Sequence, residues 1–152
     1  EHASMKMIRI VCMAAIASTI TLFSGCGSDD SDPDNKDRMF LFGMKNDTEG
    51  KENFVAVTSD NTVIAALDRQ LAKPVDERNL HINGKIAYGN GGHNLAWSWH
   101  FTPDQWSLAE VSIELCDGNP SLVEQDIDYW VGTVGRFCPW SSYVKSEITA
   151  TQ

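Results

Sequence analysis

An uncharged apolar stretch, Ile10–Phe23, follows Lys6 and Arg9 close to the start of the chain. A basic segment followed by a short apolar run is typical of a secretory signal peptide, and the run is too short to span a bilayer. A buried helix of the folded domain is the alternative interpretation. If the stretch is a signal peptide, the core must be built from the later part of the chain alone, in an exported protein.

The apolar run ends in LFSGC, with small side chains directly before Cys26. This resembles the lipobox of bacterial lipoproteins, although Phe23 stands where that motif usually has leucine. The resemblance implies cleavage before Cys26 and a lipid on its thiol that anchors the protein in a membrane, because each buried methylene contributes about 0.8 kcal/mol. Gly27 is not the aspartate that favours inner-membrane retention. We therefore expect a cell-envelope protein, on the outer membrane, facing the periplasm, or on the cell surface; a soluble exported protein is the alternative.

Four segments follow from this interpretation. Residues 1–4 precede the first methionine and are interpreted as a cloning scar or a mis-assigned start, and residues 5–25 form the signal peptide. Residues 26–37 are acidic and lack large apolar side chains, which predicts a flexible tether after the lipidated cysteine. Residues 38–152 form a single globular domain by size. The formal net charge of −9 argues against nucleic acid as a partner.

The cysteines fit an oxidising compartment. Of the four in the chain, Cys12 lies in the signal peptide and Cys26 is the expected lipid attachment site. The remaining two, Cys116 and Cys138, are predicted to form a disulfide that stabilises the domain by about 3 kcal/mol. A metal or redox role for this pair is the alternative, but the pair lacks the CxxC spacing of such sites.

Periodicity and turn residues predict an α+β domain with the element order β-β-α-β-β-β-α-β, in which one twisted antiparallel sheet carries both helices on one face. A hairpin is expected over residues 39–59. Apolar residues at helical spacing predict a helix over Asn61–Ala72, capped by Asp60 or Asn61. The strand Leu80–Gly89 comes next, and Gly84 within it predicts a bulge or a tight turn.

The second half of the domain shows the clearest alternation. Leu95–Phe101 is predicted as a strand with an aromatic core face, and a turn is expected at Pro103–Asp104. Trp106–Cys116 is predicted as a half-exposed antiparallel strand, with one face formed by Ala109, Val111, Ile113 and Leu115. A capping box of Ser121 and Glu124 predicts a second helix that ends at Gly135, and the last segment is expected to be partly extended.

Several motifs occur in a fixed order from Leu80 onward: HINGKI, HNLAWSWHF, EVSIELCDG, VEQDIDYW and FCPWSS. This series resembles the N-terminal domain of the cyclic-AMP-inducible prespore protein family, which also has bacterial members. The resemblance covers most of the expected globular domain and is strongest over residues 80–142. It implies that Cys116 and Cys138 belong together, and it implies no catalytic residue.

The segment Gly89–Asn94 is the candidate binding loop, made of Gly89, Asn90, Gly91, Gly92, His93 and Asn94. Glycine and asparagine favour turns, and loops on rigid scaffolds often carry recognition. The segment precedes a strand and lacks the lysine of a phosphate-binding loop, so a phosphate site is not expected. The aromatic residues beside it supply the kind of side chain that anchors interfaces.

Three functions remain open from the sequence. The first is an exported, lipid-anchored, non-enzymatic binding domain for an unknown protein or small ligand, without cofactor. The second is a protease inhibitor that uses Gly89–Asn94 as its bait. The third is a metal-dependent hydrolase around His81, His93 and His100, with Glu110 or Asp117 as a further ligand, although no HExxH spacing is present and these histidines are only weak candidates.

Overall fold

A computed structural model of the chain describes residues 36–149. The predicted signal peptide, the lipid site at Cys26 and most of the tether lie outside the described residues. Within them the fold is α+β, as predicted, but it contains two three-stranded antiparallel sheets instead of one. No helix in this part of the chain has the length and apolarity needed to cross a membrane.

The six strands are β1 Arg38–Met44, β2 Phe54–Thr58, β3 His81–Tyr88, β4 Trp99–Ala109, β5 Arg136–Phe137 and β6 Ser142–Ile148. The helices are α1 Asn61–Leu71, α2 Pro120–Gln125 and α3 Ile127–Tyr129, and α3 continues into a π-helical turn over Trp130–Val134. Single 3₁₀ turns occur at Val75–Glu77 and Glu114–Cys116. The observed order is therefore β-β-α-β-β-α-α-β-β, which differs from the predicted order after the fourth strand.

The first sheet has the order β2-β1-β6 and contains the predicted hairpin. In it, β1 pairs antiparallel with β2, and Phe42 lies opposite Phe54. The helix α1 follows directly and has the predicted start, because the Asp60 side chain accepts hydrogen bonds from the backbone N–H groups of Thr62 and Val63. The buried face of α1 carries Val63 and Leu67. The Asp60 cap and the helical spacing of the apolar residues are therefore both as the sequence predicted.

The second sheet has the order β4-β3-β5, and its central pairing is irregular. Gly84 of β3 pairs with Trp106, whereas Ile86, two residues later, pairs with Phe101. The additional β4 residues between these pairs form a bulge, in which Asp104 adopts a left-handed φ of 58°. The irregularity expected at Gly84 therefore occurs at that position, but the additional residues lie in β4 and not in β3. The turn expected at Pro103–Asp104 is wrong, since the strand continues through it.

The predicted strand Trp106–Cys116 is also wrong beyond Ala109. Val111, Ile113 and Leu115 are 85%, 63% and 61% exposed and pair with no strand. The chain leaves the sheet after β4, and Cys116 is joined to Cys138 by the predicted disulfide. The alternation in the sequence is real, but its apolar side faces solvent.

The second helical region begins earlier than predicted and has a different cap. Asn119 accepts a hydrogen bond from Leu122 N, and Pro120 occupies the first turn. Glu124 does not complete a capping box; its carboxylate accepts hydrogen bonds from Ser98 N and Ser98 Oγ at 2.9 and 2.8 Å. The helix ends at Gly135, as predicted, with a left-handed φ of 69°.

An aromatic core joins the two sheets. Phe42 and Phe54 of the first sheet stack at 5.4 Å, and Phe54 lies 5.9 Å from Trp99 of the second. Trp99 and Phe101 are fully buried, so the aromatic face predicted for Leu95–Phe101 is a core face. The strand itself begins only at Trp99, and the Leu95 side chain is 74% exposed.

The free edge of β2 is covered by side chains rather than by another strand. Three alternate residues of this edge hydrogen-bond to side chains from the β3–β4 connection and from β4, because their backbone groups point away from β1. The bonds are Trp97 Nε1–H to Asn53 O (2.8 Å), Val55 N–H to Asn94 Oδ1 (2.9 Å) and Trp106 Nε1–H to Val57 O (2.9 Å). These bonds connect the two sheets directly.

Candidate functional site

The predicted binding loop, Gly89–Asn94, connects β3 to the chain leading into β4. Gly89, Gly91 and Gly92 have φ values of 77°, 61° and 78°, which explains the glycine content of the loop. The first four residues are exposed, and Asn90 O accepts a hydrogen bond from Asn94 N at 2.9 Å. The loop is thus a closed, hydrogen-bonded turn that protrudes from the second sheet.

Asn94 differs from the rest of the loop because it is only 1% exposed. Its Oδ1 accepts the hydrogen bond from Val55 N, and its Nδ2 donates to Trp99 O at 2.8 Å. Both functions of the amide are therefore used within the protein. Asn94 is an anchor that fixes the loop, and it is not available to a ligand.

His93 and His100 are brought together beneath the glycines. Their ring centroids are 5.5 Å apart and the rings are almost perpendicular. His93 Nδ1 lies 3.0 Å from Gly91 O, and His100 Nδ1 lies 2.7 Å from Gly89 O. Burial lowers the pKa of His93, the carbonyl of Gly91 opposes this, and a charge on His100 lowers the pKa further. His93 is accordingly a neutral imidazole at pH 7.

His81 does not join this pair. It begins β3, whereas the loop follows Tyr88 at the other end of the strand, about 23 Å away at 3.3 Å per residue. In the range 36–149 no three side chains of the types His, Cys, Asp and Glu are placed to share a metal ion. The three histidines of the hydrolase hypothesis therefore do not converge.

His81 instead faces a cleft of about 270 Å³ on the opposite end of the second sheet, lined by Asn79, His81, Glu110, Val111, Ser112 and Trp140. Burial lowers the pKa of His81, and the nearby Asp117 partly offsets this. Of the two acidic candidates for a metal ligand, Glu110 lines the cleft and Asp117 acts on His81 through its charge. The ring is thus a neutral group in the wall of the cleft.

A chain of hydrogen bonds with a fixed direction ends at this ring. Arg136 Nη2 donates to Asn83 Oδ1 at 2.7 Å, so the amide must present Nδ2 to Ser112 Oγ, 2.6 Å away. Because Ser112 Oγ accepts there, its own proton is free to donate to His81 Nε2 at 2.7 Å. The chain around Ser112 is therefore held in place by two side chains of β3.

We call Glu110–Cys116 the aliphatic segment. Its outward side chains are Val111, Ile113 and Leu115, and Ile113 has an extended backbone with φ −74° and ψ 146°. The segment is fixed at its end by the disulfide and by the hydrogen bond from Cys138 N to Cys116 O at 2.7 Å. It therefore presents three aliphatic side chains in a defined conformation.

Trp140 extends this apolar surface. Its side chain is 45% exposed and lines the same cleft as Val111. Its backbone N–H donates to Asp117 Oδ1 at 2.8 Å, which fixes the chain just after the Cys138 end of the disulfide. The exposed apolar residues Val111, Ile113, Leu115 and Trp140 were not among the site residues that the sequence indicated. The first three had been assigned to a sheet face because of their alternating pattern.

A further cleft of about 300 Å³ lies beside the disulfide and is lined partly by carboxylates. These groups already serve the fold. Asp47 accepts hydrogen bonds from Glu52 N at 2.7 Å and Glu49 N at 3.2 Å, and Glu52 accepts one from Ser121 N at 2.8 Å. The carboxylates of Asp47 and Glu52 in this cleft therefore already have hydrogen-bond partners within the protein.

The comparison with family models agrees with the motif series. No curated protein and no solved structure matches the chain. The family model of the BP-74 N-terminal domain matches residues 37–151, which is more than half of the sequence and includes every described strand and helix. The domain resemblance inferred from the motifs is therefore confirmed, and the chain belongs to the BP-74 N-terminal domain family.

Proposed function

We propose that this chain is an exported, lipid-anchored, non-enzymatic binding domain that holds a protein or small ligand on the aliphatic segment and Trp140. The observation that carries the proposal is the exposure of three outward side chains, Val111, Ile113 and Leu115, beside a half-exposed tryptophan. Contiguous exposed apolar surface on a soluble domain marks an interaction site, whereas single exposed apolar residues carry no such meaning.

The surface is preorganised for binding. Association costs free energy for every mobile side chain or loop that becomes ordered, and a fixed surface avoids part of that cost. Here Ser112 is held by His81 and Asn83, and Cys116 is held by the disulfide. A partner would meet the aliphatic segment in the conformation that it already has.

The proposed location in the cell envelope depends on the signal-like N-terminus and on the lipobox at Cys26. Attachment through the lipid supplies the membrane as a second partner, and the acidic composition disfavours nucleic acid. Replacement of Cys26 by serine should move the protein from the membrane fraction to the soluble fraction. Retention of the Cys26→Ser protein in membranes would show that another feature anchors it.

The binding proposal is tested by photo-crosslinking and pull-down from envelope extracts. A triple variant, Val111→Ser with Ile113→Ser and Leu115→Ser, should lose the captured partner, because it removes the apolar side chains without opening the core. The matched control changes two exposed apolar residues elsewhere, Val75→Ser and Leu95→Ser, and should keep the partner. Equal capture by both variants would remove the aliphatic segment as the binding surface.

The predicted loop Gly89–Asn94 is kept as the competing binding surface in the same experiment. Its exposed residues are Gly89, Asn90, Gly91 and Gly92, and Asn94 must stay because it anchors the loop. A variant with Asn90→Ser and Gly92→Asn changes the exposed surface while it keeps a residue tolerant of positive φ. Loss of the partner in this variant alone would place the site on the loop.

Inhibition of a protease is a second candidate function, favoured by one observation. Val111 and Ile113 are exposed, Ile113 has an extended backbone, and Ser112 between them is held by His81. A substrate-like ligand of a protease cleft needs such an exposed, extended and fixed stretch. The bait is then the aliphatic segment rather than Gly89–Asn94. A panel of secreted endopeptidases tests this, with preference expected for enzymes that accept aliphatic residues.

A change of specificity gives the sharper test of inhibition. Val111 is the most exposed of the three aliphatic residues, so Val111→Lys should turn the protein toward enzymes that cleave after lysine. Leu95→Lys, at another strongly exposed position outside the segment, is the matched control. If neither protein inhibits any member of the panel at micromolar concentration, the inhibitor function is excluded and the binding function is left intact.

A further inference from the structure

The cleft beside Trp140 contains a hydrogen-bond donor of fixed position, on His81. Ser112 Oγ has two hydrogen-bond partners among the described residues, Asn83 Nδ2 and His81 Nε2. An amide nitrogen can only donate, so the hydroxyl proton of Ser112 has His81 Nε2 as its acceptor. In the neutral ring the lone pair is therefore on Nε2 and the proton is on Nδ1.

This Nδ1–H group of His81 is unused and in contact with solvent. It makes no hydrogen bond within residues 36–149. The buried side-chain nitrogen and oxygen atoms without a partner in that range are His93 Nε2, Trp99 Nε1 and Thr102 Oγ1, and His81 Nδ1 is not one of them. Since His81 lines the cleft, a molecule bound there can accept a hydrogen bond from Nδ1.

Asn79 supplies a second donor, and its amide orientation is also fixed. Lys73 Nζ lies 3.3 Å from Asn79 Oδ1, and Gln70 Nε2 lies 3.5 Å from the same atom. Both nitrogen groups can only donate, which assigns the oxygen to that side of the amide and leaves Nδ2 on the other side. Asn79 is exposed and lines the same cleft, and its Nδ2 donates to none of the described residues.

Glu110 supplies the acceptor. Among the described residues that line the cleft, it is the one that carries a charge at neutral pH, and it is exposed. The nearby cations are engaged with asparagine oxygens, since Lys73 donates to Asn79 Oδ1 and Arg136 donates to Asn83 Oδ1. The cleft thus combines two N–H donors with one anionic acceptor.

These groups select a neutral ligand that both donates and accepts hydrogen bonds. An anion would be repelled by Glu110, and a cation would leave the two N–H donors without acceptors. Hydroxyl groups donate and accept at once, so a polyhydroxyl compound can satisfy all three side chains. Trp140, which is 45% exposed, adds an aromatic wall that favours a ligand with one apolar face.

A sugar ring meets both requirements. Its hydroxyl groups lie around the rim, and its C–H groups form an apolar face suited to an aromatic side chain. The cleft volume of about 270 Å³ is near the lower end of the range for small-molecule sites, so the cleft accommodates a single ring rather than a length of peptide.

We propose that the cleft binds the terminal residue of a neutral glycan, with the sugar ring against Trp140 and its hydroxyl groups hydrogen-bonded to Asn79, His81 and Glu110. This inference rests on the proposed function, because it names the class of ligand held at the Trp140 side of that surface.

Saturation-transfer NMR of the full chain tests the proposal, because the method detects weak binding of small molecules. The probes are the methyl glycosides of glucose, galactose, mannose and N-acetylglucosamine, each of which stands for the end of a glycan. At least one of these glycosides should receive saturation at millimolar concentration.

Three variants assign the signal to the cleft. Trp140→Ala should remove it, whereas Trp140→Phe, which keeps an aromatic ring, should retain part of it. Asn79→Asp replaces the N–H donor by an acceptor while an oxygen still faces Lys73, and it should weaken binding about tenfold. Tyr129→Ala is the matched control, because Tyr129 is a 44% exposed aromatic residue outside the cleft, and it should bind as wild type does.

The proposal is overturned if no glycoside receives saturation. It is also overturned if either Trp140→Ala or Asn79→Asp, shown to be folded by circular dichroism, binds the glycoside as tightly as wild type. Saturation of acetyl-valine methylamide without saturation of any glycoside would assign the cleft to peptides and would overturn it as well. Partner capture that depends on Val111, Ile113 and Leu115 is measured separately, so failure of this inference is distinct from failure of the proposed function.

Discussion

Asn94→Ala should destabilise the domain by about 2–4 kcal/mol, although it changes a residue of a surface loop. The amide accepts from Val55 N at 2.9 Å and donates to Trp99 O at 2.8 Å, and the residue is 1% exposed. Alanine leaves one donor and one acceptor without a partner in a largely buried setting. Each unpaired group costs about 1–3 kcal/mol, with the lower part of the range applying to the partly buried Val55 N–H.

Urea unfolding followed by tryptophan fluorescence measures this free energy, with the slope against denaturant expected to stay constant. Asn90→Ala is the matched control, because Asn90 is exposed and its Oδ1 accepts only the local hydrogen bond from Gly92 N. We expect that control to change stability by less than about 1 kcal/mol. A free energy of unfolding for Asn94→Ala within about 0.5 kcal/mol of wild type would refute the assignment of Asn94 as the anchor.

Three further predictions concern the framework around the sites. Gly84→Ala should cost at least about 2 kcal/mol in chemical denaturation, because its Cβ would lie 2.5 Å from Trp106 Cα, whereas Gly132→Ala, with only Tyr88 Oη at 3.9 Å, should be close to neutral. Partial burial alone would raise the pKa of Asp104, but hydrogen bonds from Ser59, Thr58 and Asp60 outweigh it and keep the pKa below its ordinary value. Asp104 therefore stabilises the fold above pH ~4, and this contribution is lost as the pH falls. The Asp104→Asn protein should show a flatter dependence of stability on pH on the acid side. An unchanged dependence would contradict this role of Asp104. Cys116→Ala with Cys138→Ala should lower stability by about 3 kcal/mol and release the aliphatic segment, and non-reducing mass spectrometry of wild type should show a mass two hydrogens below that of the dithiol.

The elements that local chemistry determines were predicted well. Helix α1 needed only its Asp60 cap and apolar residues at helical spacing, and both act as expected. The β1–β2 hairpin is also a local structure, formed by strands close in sequence. Trp99 and Phe101 were correctly assigned to the core, because alternation with two aromatic residues on one side favours burial of that side.

The errors arose where the result depends on distant parts of the chain. Alternation in Val111, Ile113 and Leu115 shows which side chains share a face, but it does not show whether anything covers that face. The proline and aspartate at 103–104 carry a genuine turn signal, and it produced a bulge because β3 pairs with β4 on both sides of it. The division into two sheets likewise depends on which strands meet, and sequence periodicity does not specify partners.

The segment Gly89–Asn94 forms the turn that its composition indicated, and its role in binding stays a prediction. Its exposed glycines and asparagine occupy the predicted turn, whereas Asn94 is a buried anchor. His100 was assigned to a strand face, and its approach to His93 follows from the way the hairpin closes. Ser112 and Trp140 were missed because each acquires its meaning from contacts with residues far away in sequence.

The covered edge of β2 affects how the protein would aggregate. An open strand edge is a template on which another chain can add, and proteins commonly block such edges to avoid fibrils. In this domain the block consists of Asn94, Trp97 and Trp106, which come from a different part of the chain. Local opening of the β3–β4 connection therefore uncovers a ready site for intermolecular pairing before the domain unfolds as a whole. Aggregation should thus follow the stability of that connection rather than the stability of the core.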